Sequence, residues 1–323
     1  MIDVIIPAYN SSKYLDNVLS SLSLQTIKDK IKVTIVNDGS NDDYTDIVSL
    51  YKKYISIELI GYKENKGPGF ARKYGINNTN NKYIIFIDSD DVLYDKFSIE
   101  NLYNTIEGNN LDYVNSIFYE EIDGDLYPKE EDNTWLHGKI YRRSFLVDNN
   151  INFNDTRSNE DNGFNALVQL SNPRKEYIKT PTYIWKSNMD SITRKNNYEY
   201  QYTGLFGFIE NIEWALKIKE KDEKIKYDIA KMALQSLYYL YLCYLSFQYK
   251  ENSEEIIKKS KKLYNYSKFY DFNKYEYTMV LEEEFKRNYD YFDKSIIFDP
   301  SITFSSFLKK VGDYNDWCYN PSI

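Results

Sequence analysis

Tyr83-Ile84-Ile85-Phe86-Ile87-Asp88-Ser89-Asp90-Asp91 is an apolar run that breaks abruptly into carboxylates. A short unbroken run of β-branched and aromatic residues with polar neighbours reads as a buried strand. In an open α/β sheet, ligands bind at the carboxyl ends of the strands, so the acids are placed at the mouth of a site. Asp88 and Asp90 are two positions apart and project to the same side of an extended chain. Their like charges repel unless something neutralises them. A hard divalent cation does so: Mg²⁺ and Mn²⁺ take oxygen ligands, usually one or two carboxylates together with substrate phosphates. Asp88 and Asp90 are therefore the metal-ligand candidates. Asp91, taken alone, reads as a cap for the helix containing Phe97 and Ile99, since Asp is common at helix starts.

Upstream, the same strand-then-polar pattern recurs. Residues 2 to 6 read as a strand, followed by Leu15, Val18, Leu19 and Leu22 at helical spacing. Ile31 to Val36 is a second strand ending in Asn37-Asp38-Gly39-Ser40, with Ile47, Val48, Tyr51 and Tyr54 marking the next helix. Ile55 to Tyr62 is a third, after which Glu64-Asn65-Lys66-Gly67-Pro68-Gly69 opens a short helix with Phe70, Ala71 and Tyr74. Strands alternating with helices predict a mostly parallel, three-layer α/β sheet. A dinucleotide site would need its glycine-rich turn directly after the first strand. That turn is Pro7-Ala8-Tyr9-Asn10, and the later Gly67-Pro68-Gly69 lacks the final glycine, which argues against a dehydrogenase.

Downstream the pattern changes. Asp112 to Ile122, the turn Asp123-Gly124 and a return through Leu126 and Tyr127 predict a hairpin added to the sheet. Glu160 and Asp161 begin a helical run with Phe164, Leu167 and Val168, where acids also suit a helix N-terminus. Tyr177 to Trp185 reads as a last strand and Lys186 to Asn197 as a polar loop. From Tyr198 to Ile323 only helical periodicity remains. The change of period predicts a first domain over 1–197 and a helical domain over 198–323.

Composition narrows the function. The net charge of −8 disfavours general binding to polyanions, although Lys258, Lys259, Lys261 and Lys262 form a local basic cluster. That cluster leaves open contact with an anionic polymer or the inner face of a membrane, beside its reading as a solvated helix face. The two cysteines offer neither metal spacing nor a disulfide framework, which fits a reducing cytoplasm. The chain opens directly on a strand with no signal-peptide pattern. Leu234 to Phe247, interrupted by Gln235, Ser236 and Ser246, is too short and polar to span a bilayer and reads as a buried helix.

Taken in series, Val4-Ile5-Ile6-Pro7-Ala8-Tyr9-Asn10, Val36-Asn37-Asp38-Gly39-Ser40, Asn65-Lys66-Gly67 through Ala71-Arg72, Ile87-Asp88-Ser89-Asp90-Asp91 and Glu160-Asp161 resemble the family 2 glycosyltransferases of the GT-A fold. The resemblance covers roughly residues 1 to 195. It implies a Rossmann-like three-layer sandwich, with 1–110 as the nucleotide-sugar binding half and 111–197 as the acceptor half, and a nucleotide-sugar donor, taken here as a UDP-sugar, with Mn²⁺ or Mg²⁺. It implies that Pro7, Tyr9 and Asp38 line the base pocket, that Asn65 and Arg72 approach the nucleotide or its phosphates, and that Asp88, Ser89 and Asp90 meet the ribose and metal. Asp161, with Glu160 beside it, is implied as the catalytic base. Many members place a later His on the metal, whereas the only His here is His137, upstream of Glu160. His137 itself reads as packed near Trp135. Asn188, Asp190 or water are the candidates for the missing ligand. A carboxylate taking the acceptor's proton, with no covalent nucleophile, predicts inversion. The expected acceptor is a glycan, wall polymer or protein, and the helical region is assigned to acceptor recognition or self-association. Competing readings are glycosylation of modified nucleic acid bases, which the acidic balance disfavours, and a non-catalytic nucleotide-sugar binding or assembly module.

Overall fold

The computed structural model describes residues 1–188, 198–247, 253–268 and 302–314. The strands are β1 (Ile2–Ala8), β2 (Ile31–Asp38), β3 (Ser56–Tyr62), β4 (Tyr83–Phe86), β5 (Val92–Leu93), β6 (Tyr113–Ile122), β7 (Asp125–Lys129), β8 (Lys139–Arg142) and β9 (Lys175–Trp185). Among the described residues they form one sheet in the order β3-β2-β1-β4-β8-β6-β9-β5, with β7 added to β6. The first four in that order are parallel. Beyond β4 the sheet is mixed, because β8 enters antiparallel to both β4 and β6 while β9 runs parallel to β6. The register pairs Ala8 with Asn37, Asp38 with Tyr62 and Ile5 with Phe86. The chain therefore leaves β1, β2 and β4 along one edge, which is what assembles the polar loops there.

Helices α1 (Ser12–Ser23), α2 (Thr45–Tyr51), α3 (Pro68–Asn77), α4 (Ser98–Gly108), α5 (Arg143–Asp148) and α6 (Glu160–Leu170) accompany the sheet. All of β1 is buried. Ile2, Val4 and Ile6 join the cluster built with Leu15, Val18, Leu19 and Leu22 of α1. Ile5 faces α3, where Gly75 permits the approach: a Cβ there would stand 2.5 Å from Ile5 Cγ2. Covering both faces is why the strand reads as a continuous apolar run. Asp3 interrupts that run and is fully buried, but Arg143 Nη2 at 2.8 Å and the Asn81 amide at 2.7 Å satisfy it. On the α3 side Phe86, Phe153 and Phe164 meet at centroid distances of 4.5 to 5.7 Å. Those rings fix α6, and with it Glu160 and Asp161, beside the end of β4.

The chain divides into compact units at Met1–Asn211 and Ile212–Ile323, downstream of the change of period at 197/198. Helix α7 (Tyr198–Lys219) crosses that division. Fully buried Asn211 explains why its first part belongs with the sheet: the side chain pairs with the Thr156 hydroxyl at 2.8 Å and donates to the Ser158 carbonyl at 3.0 Å. The second unit continues with α8 (Lys226–Phe247), α9 (Ser253–Tyr266) and α10 (Phe304–Asp313). Its core sets Tyr238, Tyr241 and Tyr244 of α8 against Phe304 and Phe307, so tyrosine serves here as a packing residue. No described helix is long and apolar enough to cross a membrane. Within the basic cluster, Lys261 bonds the Gly312 carbonyl and Lys262 lies 3.3 Å from Glu213.

Candidate active site

The site is built first by the loops after β1 and β2. Asp38, 2% exposed, accepts from the amides of Lys66 at 2.7 Å and Gly67 at 2.9 Å and from Asn65 Nδ2 at 3.1 Å. It thus holds the turn that leads into α3. Gly39 sits at φ +67, and a Cβ on it would fall 2.6 Å from the Asn65 nitrogen. Ser40 and Asn10 tie the β1 and β2 loops together through Ser40 Oγ at 3.1 Å from the Asn10 amide. Tyr9 remains half exposed beside them, Asn65 is half-buried and Pro7 is buried. Replacing Gly39 by Ala is expected to cost about 1–3 kcal/mol and to weaken nucleotide binding by moving Asn65. Urea unfolding and UDP titration check both, and an unchanged UDP affinity would detach this loop from the nucleotide.

Arg72 is the centre of charge. It is 4% exposed, its Nη2 lies 2.6 Å from Asp88 Oδ1, and its Nη1 lies 2.6 Å from Glu160 Oε1 and 3.4 Å from Asp161 Oδ1. The guanidinium fork suits carboxylates from different elements. The close approach of α3 to α6 depends on Gly69, where a Cβ would meet Glu160 Cβ at 2.9 Å. Burial, and then the charge of Glu160, push the Asp161 carboxyl well above the usual carboxylate range despite Arg72. Asp88 behaves oppositely. Burial works upward on it, but Arg72 and then His137 hold it below its ordinary value.

At the end of β4 the acids part company. Asp90 Oδ2 accepts from Asn188 Nδ2 at 2.7 Å, and Ser89 is half-buried next to it. Asp91 is 1% exposed and receives the Tyr183 hydroxyl at 2.5 Å and the Lys186 amide at 2.8 Å. Burial, then the charges of Asp88 and Asp90, raise its carboxyl well above the usual range. The capping expectation for Asp91 is corrected: β5 follows it, and the chain entering α4 is organised by Asp95, which accepts from the Phe97 amide at 2.8 Å. His137 lies in the turn before β8, 5% exposed, with burial lowering its pKa to about 4. It stacks near Trp135 as expected, but its ring also comes within 4.8 Å, ligand atom to ligand atom, of both Asp88 and Asp91. Lys139 supports that turn through a bond to the Trp135 carbonyl at 2.5 Å.

These residues can be compared with known proteins. Residues 3–158 match the family model described as Glycosyl transferase family 2. Residues 3–158 are thus a family 2 glycosyltransferase segment. GlyA, a glycosyltransferase of Streptococcus pneumoniae serotype 4, is 30% identical over 220 residues, which cover 60% of this chain and 31% of that protein. EpsH of Bacillus subtilis is 27% identical, over 63% of this chain and 66% of its own length. TarS of Staphylococcus aureus, a poly(ribitol-phosphate) beta-N-acetylglucosaminyltransferase, is 27% identical over 58% of this chain and 35% of its own. The chain thus spans about a third to two thirds of the length of these curated relatives. The crystal structure of TarS 1–349 in complex with UDP-GlcNAc superposes with a TM-score of 0.68 at 20% identity, covering 82% of this chain and 81% of that one. The fold of the chain is accordingly GT-A-like: a curled parallel and antiparallel sheet followed by a helical region.

Against the sequence expectations, the fold brings Arg72, Asp88, Glu160 and Asp161 into one hydrogen-bonded group. Arg72 was expected at the nucleotide or its phosphates, and here its charge is engaged by carboxylates. Asp38, expected to line a base pocket, is buried beneath the Asn65 turn. Asn188 bonds Asp90, while Asp190 and the rest of the expected polar loop from 189 to 197 lie outside the described residues. Tyr183 went unread, since an aromatic in a strand carries no signal of its own; yet its hydroxyl accepts from the Asp88 amide at 3.2 Å as well as donating to Asp91.

Proposed function

We propose that the protein moves a sugar from a UDP-sugar to a hydroxyl of a glycan, wall polymer or protein, with inversion at the anomeric carbon. The observation that carries this reading is the buried group in which Arg72 holds Asp88 on one side and Glu160 and Asp161 on the other. It sets a carboxyl of raised pKa next to the strand ends where a nucleotide would lie. Such a carboxyl is suited to accept a proton near neutral pH. As the acceptor oxygen bonds to the anomeric carbon, its proton passes to Asp161, and the bond to the diphosphate breaks with its electron pair on the leaving oxygen. Glu160 is already paired with Arg72, so Asp161 is the assigned base. A single base without a covalent nucleophile supports one displacement and hence inversion.

Pro7, Tyr9 and the Asp38–Asn65 turn are proposed to frame the base, and Asp88, Ser89 and Asp90 the ribose and diphosphate. The donor set at the end of β4 fits a divalent cation: its acids outnumber the one guanidinium among them. Such a cation, when bound, offsets the charge of the departing diphosphate. Support for the donor comes from TarS, solved with UDP-GlcNAc and with UDP, which makes UDP-GlcNAc the first compound to test. EDTA is expected to reduce turnover of the donor at least about tenfold, with recovery on adding Mn²⁺. Mass spectrometry of UDP release across a panel of nucleotide sugars reads this out. Full turnover in EDTA removes the metal, and no turnover of any donor removes the proposed reaction.

A further inference from the structure

The imidazole of His137 is packed among four aromatic rings. Trp135 lies at 5.8 Å with 9° between planes, Tyr183 at 4.7 Å with 21°, Trp185 at 5.5 Å with 35°, and Phe118 meets it edge-on at 5.1 Å. That packing fixes the ring and its nitrogen-bearing rim. His137 is 5% exposed and makes no hydrogen bond to any described residue. A nearly buried imidazole with no protein partner for its nitrogens is suited to meet an ion or a water. Beside the rim lie carboxylate oxygens of Asp88 and Asp91, all three ligand atoms within 4.8 Å of one another.

We propose that Asp88, Asp91 and His137 together hold a divalent cation, with the imidazole as its nitrogen ligand. The site would join the end of β4 to the turn before β8, in place of one resting on Asp88 and Asp90. It refines the metal in the donor-binding reading above and takes only the cation's purpose from it. Ligand atoms around one such ion at about 2.1 Å stand at most about 4.2 Å apart, so the cluster closes by about half an ångström. Each carboxylate is also oriented by a further partner, as supported ligands are: Arg72 grips one oxygen of Asp88, while Tyr183 and the Lys186 amide grip Asp91. Asp90, by contrast, has its Oδ2 turned to Asn188. An imidazole beside two carboxylates favours Mn²⁺ over Mg²⁺, because nitrogen ligands suit the transition metals and all-oxygen sets suit magnesium.

The full chain is titrated with Mn²⁺ alone by electron paramagnetic resonance, and the bound ion is then examined by pulsed methods for coupling to a nitrogen nucleus. Wild type is expected to show that coupling, with Mg²⁺ displacing the Mn²⁺ only in large excess. His137→Phe, which keeps the stacked ring, should lose the coupling and bind Mn²⁺ about 10- to 100-fold more weakly. Asp91→Asn should weaken binding similarly, and Asp90→Asn should keep the coupling. Circular dichroism and urea unfolding check that each variant is folded. Bound Mn²⁺ without nitrogen coupling in wild type overturns the proposal whatever the variants do, as does failure to bind Mn²⁺ at all; the rim then faces water. Mn²⁺-dependent transfer without the coupling leaves the proposed function standing and removes this ligand set. Nitrogen coupling in a protein that turns over no nucleotide sugar does the reverse.

Discussion

Asp161→Asn is expected to lower the transfer rate by about 100- to 10,000-fold, the range for loss of a positioned proton acceptor, and to leave donor affinity nearly unchanged. The amide keeps the shape and the approach to Arg72 Nη1 at 3.4 Å but cannot take the proton, and the base acts only in the transition state. The pH profile gives an independent reading. Burial and then Glu160 raise the Asp161 pKa, so wild-type kcat/KM falls as pH drops through a value above the ordinary carboxylate range. That acid limb disappears in the variant. Single-turnover kinetics on donor-saturated protein measure the rate, and isothermal titration with UDP measures binding. Wild-type turnover in Asp161→Asn alongside an inactive Glu160→Gln would move the role by one residue.

Arg72→Met is expected to cost about 3–5 kcal/mol of stability, the penalty for removing one partner from a buried charge group. The methionine fills much of the space but leaves Glu160, Asp161 and Asp88 facing one another with side-chain exposures of 6%, 16% and 32%. The sign of the pH effect follows from Arg72's hold on Asp88. With the guanidinium gone, the Asp88 pKa is no longer depressed, and protonation at lower pH relieves the repulsion. The deficit should therefore shrink as pH falls from 7 toward 5. Arg72→Lys should recover part of the stability, since an ammonium restores the charge without the planar fork. Urea unfolding at both pH values is the measurement; a loss under about 1 kcal/mol, set against that range, would mean that the carboxylates are already neutral or hydrated.

The strands β1 and β4 were legible because burial on both faces writes a nearly unbroken apolar run, and Asp38 and Asp88 were legible because each lies at or just past the end of a strand. What joins those acids was not. Arg72 meets Glu160 across 88 positions and Tyr183 meets Asp91 across 92, distances over which no periodicity speaks. Asp91 looked like a cap since local spacing cannot show that β9 folds over it. A single histidine has no spacing to read, and only the turn before β8 brings His137 to the carboxylates. The unit boundary was set by a change of period, which cannot register that a polar residue well inside a helix is bonded to a loop some 50 positions earlier, as Asn211 is to Thr156.

Asn211 also bears on how such enzymes can be recombined. Gly163, in the second turn of α6, has no room for a Cβ beside it: Asn211 Oδ1 would lie 3.0 Å away. The segment from Thr156 to Gly163 and the first part of α7 are therefore matched surfaces that must be inherited together. A chimera that joins a foreign C-terminal region at residue 197 would break that match even with every catalytic side chain retained, whereas a junction placed after Asn211 would transplant it whole. Exchange of the helical region among relatives, in the laboratory or in evolution, is then constrained by an asparagine whose partners are a hydroxyl and two backbone carbonyls.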